Sequence, residues 1–133
     1  MSQENAALLT RWYEHFNEDR VDQLLGMLDP DFVYTSSGAF PDFDQVYRGR
    51  AGFARFRETQ AAPWARFRVE LVEILDRGEV MIVEVHLHGE GEGSGVKVKQ
   101  SFHHAWRFED GVMVRLDSRT SREEALEAVG LRE

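Results

Sequence analysis

Cysteine is absent from the 133 residues. Disulfides, thiolate metal sites and a cysteine nucleophile are therefore excluded. Proline is scarce, at three residues. No low-complexity tract, internal repeat or linker breaks the chain, and the length fits one domain over residues 1–133. Basic residues are outnumbered, 16 Lys and Arg against 24 Asp and Glu, for a net charge of -8. That balance argues against a nucleic-acid binder, which must neutralise phosphates. No apolar run approaches the ~20 residues of a membrane span. The first five residues, Met1 to Asn5, have neither the basic stretch nor the apolar core of a secretory signal, so a cytoplasmic protein is expected. What is present is a 42% hydrophobic composition with nine Phe, three Trp and three Tyr. That is enough to build a packed core.

Charge is unevenly placed. Residues 1–46 hold nine acids and two bases. Residues 47–68 hold six arginines (Arg48, Arg50, Arg55, Arg57, Arg66 and Arg68) against Glu58 alone. Such a cluster either meets an anionic partner or forms a solvated face that balances its acidic neighbours. Without an aromatic stacking pattern beside it, the second reading is favoured.

Helical spacing of Leu8, Leu9, Trp12, Tyr13 and Phe16 predicts an amphipathic helix from Asn5 to Asn17. A short second helix follows, with Val21, Leu24, Leu25 and Leu28 on one face and Asp19 as N-cap. Asp29-Pro30-Asp31 ends it, because the residue before proline is pushed from the helical region. Phe32 to Thr35 reads as a short strand. Residues 36–49 are irregular, and Arg50 to Gln60 is helical again, closed by Pro63.

The period then changes to two. Strands are predicted over Phe67–Leu75, Val80–His88, Val96–Phe108 and Val112–Thr120. Gly89 to Gly95 and the Asp110-Gly111 turn link them as hairpins. Ser121-Arg122-Glu123-Glu124 is a capping box opening a last helix, which Gly130 closes. Helices segregated from an antiparallel meander make an α+β fold.

The pattern resembles the nuclear transport factor 2-like superfamily, and within it the SnoaL-like domains. Trp12-Tyr13-Glu14-His15-Phe16-Asn17 with Val21-Asp22-Gln23-Leu24-Leu25 is similar to the opening helix pair. Tyr47-Arg48-Gly49-Arg50-Ala51-Gly52-Phe53 is similar to the loop that leads into the third helix. His104 to Gly111, then Val114-Arg115 and Glu123 to Ala128, is similar to the closing hairpin and helix. The resemblance implies a curved antiparallel sheet wrapped against helices as a cone, with a pocket inside for a small hydrophobic molecule. The superfamily includes steroid isomerases, epoxide hydrolases, polyketide cyclases and non-catalytic scaffolds, so fold alone does not give function.

Strand alternation places Gln100, Phe102, His104 and Trp106 on the inner face with Val96 and Val98. Comparison with the superfamily adds Leu116, Ser118 and Thr120 from the last strand, leaving Arg115, Asp117 and Arg119 outside. Tyr34 and Ser36 fall at the mouth, Trp12 and Phe16 on the first helix, and Phe53 and Phe56 on the third. The steroid isomerases' general-base aspartate would fall at Ser36, and their tyrosine and protonated aspartate at Trp12 and His104. The epoxide hydrolases' tyrosine, asparagine and aspartate would fall at Tyr34, Ser36 and Ser118. Only the tyrosine survives, and no carboxylate stands at the usual places. His104, with an ordinary pKa near ~6.5, is the candidate acid or base, and Tyr34 is its candidate partner. Two function classes follow: an isomerase, cyclase or hydrolase of small carbonyl or epoxide compounds, or a non-catalytic binding or scaffold domain.

No cofactor is expected. The glycines at 89–95 precede no helix and form no phosphate loop. His86 and His88, at i and i+2, could reach one metal with a carboxylate. The paired strand brings Lys97 or Lys99 beside them, which opposes a cation, so no metal site is expected. The outer face includes Glu84, His86, His88, Lys97, Lys99, Ser101, His103 and Ala105. The helices are needed on the other face. This one must meet water or a second subunit, and since superfamily members commonly pair through it, a homodimer through this outer face is expected.

Overall fold

The computed structural model describes residues 2–131. Helix α1 runs over Ser2–Asn17, α2 over Val21–Gly26, α3 over Gly49–Ala61 and α4 over Arg122–Ala128. Strands β1 (Leu28–Thr35), β2 (Val46–Arg48), β3 (Trp64–Arg77), β4 (Val80–Gly91), β5 (Lys97–Glu109) and β6 (Val112–Arg119) form one sheet in the order β2-β1-β6-β5-β4-β3. The four long strands are antiparallel, and β1 joins β6 in parallel. The sheet is curved and unclosed, so β2 and β3 are its edges.

The apolar stripe read from α1 is its buried face: Leu9, Trp12, Tyr13 and Phe16 are all buried. Asn17 fastens the end of this helix to the sheet. Its side chain donates to the Val69 carbonyl (2.7 Å) and accepts from the Val69 amide (2.8 Å), as a neighbouring strand would. Asp19 does not cap α2. It takes a left-handed backbone (φ 59°) in the turn, and Arg20 occupies the cap position without a side-chain capping bond. The Asp19 carboxylate instead pairs with Arg57 at 2.6 Å.

β1 starts four residues before the expected Phe32, and Pro30 lies within it. Proline is tolerated because the register with β6 shifts between Leu28 and Val33, where no ladder bond is lost. β2 lies in the stretch expected to be irregular, and Tyr47 pairs with Tyr34 across it. At the hairpin end of β5, Val96 and Val98 are exposed, 58% and 37%, rather than buried on the inner face. The inner side there is covered only in part, by the Trp64 ring lying against Gly89, the partner of Val98 in the register.

Helices α1 and α3 cover the inner face. The outer face is not left wholly to water or a partner, because α4 lies across one end of it. Ala125 and Leu126 pack on Ile82 and Ala105 there. Asp117, expected outside, is fully buried on this side. Its carboxylate accepts from the Thr35 hydroxyl and from Arg115 Nε at 2.9 Å, so the charge is compensated.

The N-cap half of the expected capping box forms, while the Glu124 carboxylate accepts from the Ser121 and Thr120 hydroxyls instead of the Ser121 amide. Ser121 Oγ accepts from the Glu124 amide at 3.1 Å, and Gly130 (φ 75°) closes the helix. Replacing Ser121 by alanine is expected to cost about 1 kcal/mol and to lower Tm by about 3–5 °C in thermal denaturation. An unchanged Tm would show that the packing of Ala125 and Leu126 holds α4 without its cap.

The arginine cluster is dispersed rather than focused on one ligand. Arg50 donates to the Leu28 carbonyl, Arg55 approaches Asp44 at 3.4 Å, Arg57 holds Asp19, and Arg66 and Arg68 stand on β3. This agrees with a face that balances its acidic neighbours.

Candidate functional site

A cavity opens between α1, α3, the inner face of the sheet and the loop before β2. The space between protein atoms is about 580 Å³ including the mouth, of which about 40 Å³ accepts the centre of a water-sized sphere. That inner volume suits a few waters at about 10–15 Å³ each. Larger ligands must enter by displacing side chains near the mouth.

The residues expected at the pocket divide cleanly. Trp12, Phe16, Tyr34, Ser36, Phe53, Phe56, Phe102, His104, Leu116 and Ser118 all line the cavity. Gln100, Trp106 and Thr120 do not. Gln100 is half-buried nearer the hairpin end, and Thr120 is exposed and donates to Glu124 at 2.8 Å. Trp106 is fully buried core behind the wall, against Trp12 at 4.7 Å between ring centroids. The sequence reading missed Tyr13, Ser37, Phe40, Phe43, Gln60, Val69, Val85 and Leu87, which also line it. Phe40 and Phe43 had a signal: two phenyl rings in an otherwise polar loop. They pack on each other at 5.8 Å, and Phe43 meets Phe56 at 5.0 Å. Val85 and Leu87 belonged to the apolar stripe of their strand.

No lining residue carries a formal charge at neutral pH. The polar groups are indole, imidazole, hydroxyls and one amide. The best-connected set begins at Trp106, whose Nε1–H donates to the Tyr13 hydroxyl at 2.9 Å. That hydroxyl lies 2.6 Å from His104 Nδ1, and the two rings stack at 6.0 Å. The Tyr13 proton has no other acceptor among the described residues. A buried hydroxyl proton left unpaired is costly, so Tyr13 donates to His104. Nδ1 is then an acceptor, and the neutral ring carries its proton on Nε2. The hydrogen bond of the ring in the described residues is that at Nδ1, so Nε2–H is the donor left for a ligand.

Burial, and secondarily the charge of His103, lowers the His104 pKa from 6.5 to about 3. The ring is therefore neutral at physiological pH, and its basic nitrogen is already occupied by Tyr13. The environment does not leave His104 the near-neutral pKa that made it an acid–base candidate. Burial likewise pushes the Tyr13 and Tyr34 phenols up, so both stay protonated. Asp117, next to Ser118, faces the opposite side of the sheet and supplies no carboxylate here.

Two buried polar atoms on lining residues lack partners among the described residues: the Trp12 indole Nε1 and Gln60 Oε1. Trp12 is 1% exposed, so its N–H finds neither protein nor bulk solvent. The positions that correspond by resemblance to the steroid isomerase set, Trp12, Ser36 and His104, are thus brought together, but as donors and a hydroxyl rather than carboxylates.

The fold recurs in solved structures of low identity. TerC, crystallised with polyporic acid, superposes with a TM-score of 0.79 at 18% identity, covering 89% of this chain and 92% of that one. An NTF2-like protein of unknown function from Burkholderia pseudomallei K96243 gives 0.77 at 22% identity, covering 96% and 98%. A protein with a ketosteroid isomerase-like fold from Catenulispora acidiphila DSM 44928, in complex with trimethylamine, gives 0.73 at 14%, covering 94% and 93%. No curated protein matches the chain. The family model for the SnoaL-like domain matches residues 9–116, from the buried face of α1 to the cavity-lining Leu116 of β6, and the chain belongs to that family.

Proposed function

We propose that the cavity binds a small, largely apolar molecule bearing an acceptor oxygen, such as a ketone, and does so without base catalysis. The observation that carries this reading is the uncharged lining, with hydrogen-bond donors set among aromatic rings. His104 Nε2–H and the unpartnered Trp12 Nε1–H supply donors for a ligand oxygen. Phe16, Phe53, Phe56 and Phe102 supply apolar surface. Aromatic walls with a few placed polar groups are the usual composition of a small-molecule site. Proton abstraction from carbon needs a carboxylate or imidazole with a matched pKa. A neutral imidazole whose Nδ1 is occupied, and whose pKa is about 3, is a poor base at pH 7. The same donors would polarise a bound carbonyl, but nothing lining the cavity would take the proton.

A matched pair of ligands tests this reading. 1-Tetralone and tetralin share a bicyclic skeleton, and only the ketone has an acceptor. Quenching of tryptophan fluorescence should show the ketone binding about tenfold more tightly, since pairing an otherwise unsatisfied buried donor is worth roughly 1–3 kcal/mol. In His104→Phe the preference should shrink but not vanish, since the Trp12 Nε1–H remains, while tetralin binding persists. Polyporic acid, the molecule held by the TerC structure, belongs in the same series as a larger probe. Equal affinity for ketone and hydrocarbon in the unaltered protein would remove the donor role. Turnover of a ketone, lost in His104→Phe, would overturn the non-catalytic reading.

A further inference from the structure

On the outer face of the sheet, away from the cavity, four side chains converge where β3 meets β4. Glu70 stands directly opposite His86 in the strand register, and His88 follows on the same face. His88 Nε2 lies 2.8 Å from Glu70 Oε1, and His86 Nδ1 lies 4.0 Å from the same oxygen. One donor atom from each of Glu70, His86 and His88 lies within 4.8 Å of the others. From this juxtaposition we infer that Glu70, His86 and His88 form a binding site for a divalent transition-metal ion of the zinc type, with Glu84 positioning His86.

Glu84 makes this more than a pair of histidines near an acid. Its Oε2 lies 2.9 Å from His86 Nε2. A carboxylate only accepts, so it fixes the proton on Nε2 and leaves the Nδ1 lone pair on the side of Glu70. A carboxylate that holds the second nitrogen of a ligating histidine is the usual support for such a ligand. Two imidazoles and one carboxylate are a donor set for zinc, with a fourth position left open. Tetrahedral bonds of about 2.0–2.1 Å need donors roughly 3.3–3.4 Å apart. The present 2.8 and 4.0 Å straddle that spacing, so small side-chain rotations close the site. On binding, His88 keeps its proton on Nδ1 and gives Nε2 to the metal.

The charge objection to a metal rested on the lysines of the paired strand. Lys99 does stand opposite His88, and Arg68 flanks it on the other side. The folded sheet sets Glu70 and Glu84 against them, and Glu73 stands opposite Glu84. The sequence could not show this, because Glu70 comes from another strand. His86 and His88 side chains are 21% and 29% exposed, so an ion can reach them from solvent.

Zinc titration by calorimetry on the intact chain tests the inference. One equivalent per chain is expected, with a rise in Tm. His86→Ala and His88→Ala should each weaken binding about 100-fold, Glu70→Gln at least tenfold, and His15→Ala, on α1, not at all. Glu84→Gln should weaken binding about tenfold, and Glu84→Asp should recover part of it. Cobalt as a spectroscopic probe gives a second readout: intense visible bands of a four- or five-coordinate ion in the unaltered protein, lost in His86→Ala/His88→Ala. Circular dichroism checks that each variant is folded. No zinc uptake by the unaltered protein, or equal uptake by the folded double variant, overturns the inference and leaves the cluster as histidine–carboxylate pairs.

Discussion

Replacing Trp106 by alanine is expected to cost about 3–5 kcal/mol, a large share of the roughly 5–15 kcal/mol that holds a domain together. Trp106 is fully buried and touches the rings of Trp12, Tyr13 and Phe32, at 4.7, 6.2 and 6.1 Å between centroids. These rings join α1, β1 and β5, so the vacated volume cannot collapse by moving one element alone. Trp106→Phe should cost less, about 1–2 kcal/mol, because it keeps most of the packing and removes the N–H that Tyr13 accepts. Urea denaturation of both variants measures the difference. A loss below 1 kcal/mol for the alanine variant would mean that Trp106 is not the centre of this core.

Acid should weaken the protein through His104 well before the carboxylates titrate. An unfolded histidine takes up a proton near pH 6.5, whereas the folded His104 resists until about pH 3. Protons therefore favour the unfolded chain between those values. The stabilisation is full above pH 6.5 and is lost as pH falls from 6.5 towards 3. At pH 5 the loss amounts to roughly 2 kcal/mol. In His104→Gln this part of the pH dependence should vanish, although the variant is weaker at neutral pH. Urea midpoints at pH 7.5 and 5.0 decide the matter. Equal losses in the two proteins would assign the acid sensitivity to other groups.

The readable parts of the sequence were those whose partners are close in the chain or set by period. The α1 stripe of Leu9, Trp12 and Phe16 follows from helical spacing, and His104 was placed with Phe102 by the two-residue period of a strand. The Ser121 cap was visible because its acceptor and donor lie three residues apart. Relations between distant segments were not readable. Tyr13 and His104 are 91 residues apart, so nothing local indicated that the histidine's basic nitrogen is occupied. The outward direction of Asp117 was read correctly but not its burial, because Thr35 and α4 reach that face only in the folded chain. Thr120 was carried inward by comparison with relatives, yet it belongs to the α4 cap. β2 was missed because three residues within a loop have no period to detect.

The open sheet also bears on how readily copies of the chain could pair edge to edge. A free strand edge is a template for another chain, and β3 is a 14-residue edge strand on which Asn17 already takes both backbone groups of Val69. That edge is poorly suited to strand addition. Arg66, Arg68, Glu70, Glu73, Asp76 and Arg77 stud it with both signs of charge, and the register slips between Leu71 and Glu73. Val72 is left in the irregularity and 44% exposed, so an incoming strand would lose its ladder midway. At the opposite edge β2 offers only three residues. Charge and irregularity at β3 and brevity at β2 thus do the work that closure does in a barrel, and fibril-like stacking is discouraged without closing off the cavity mouth.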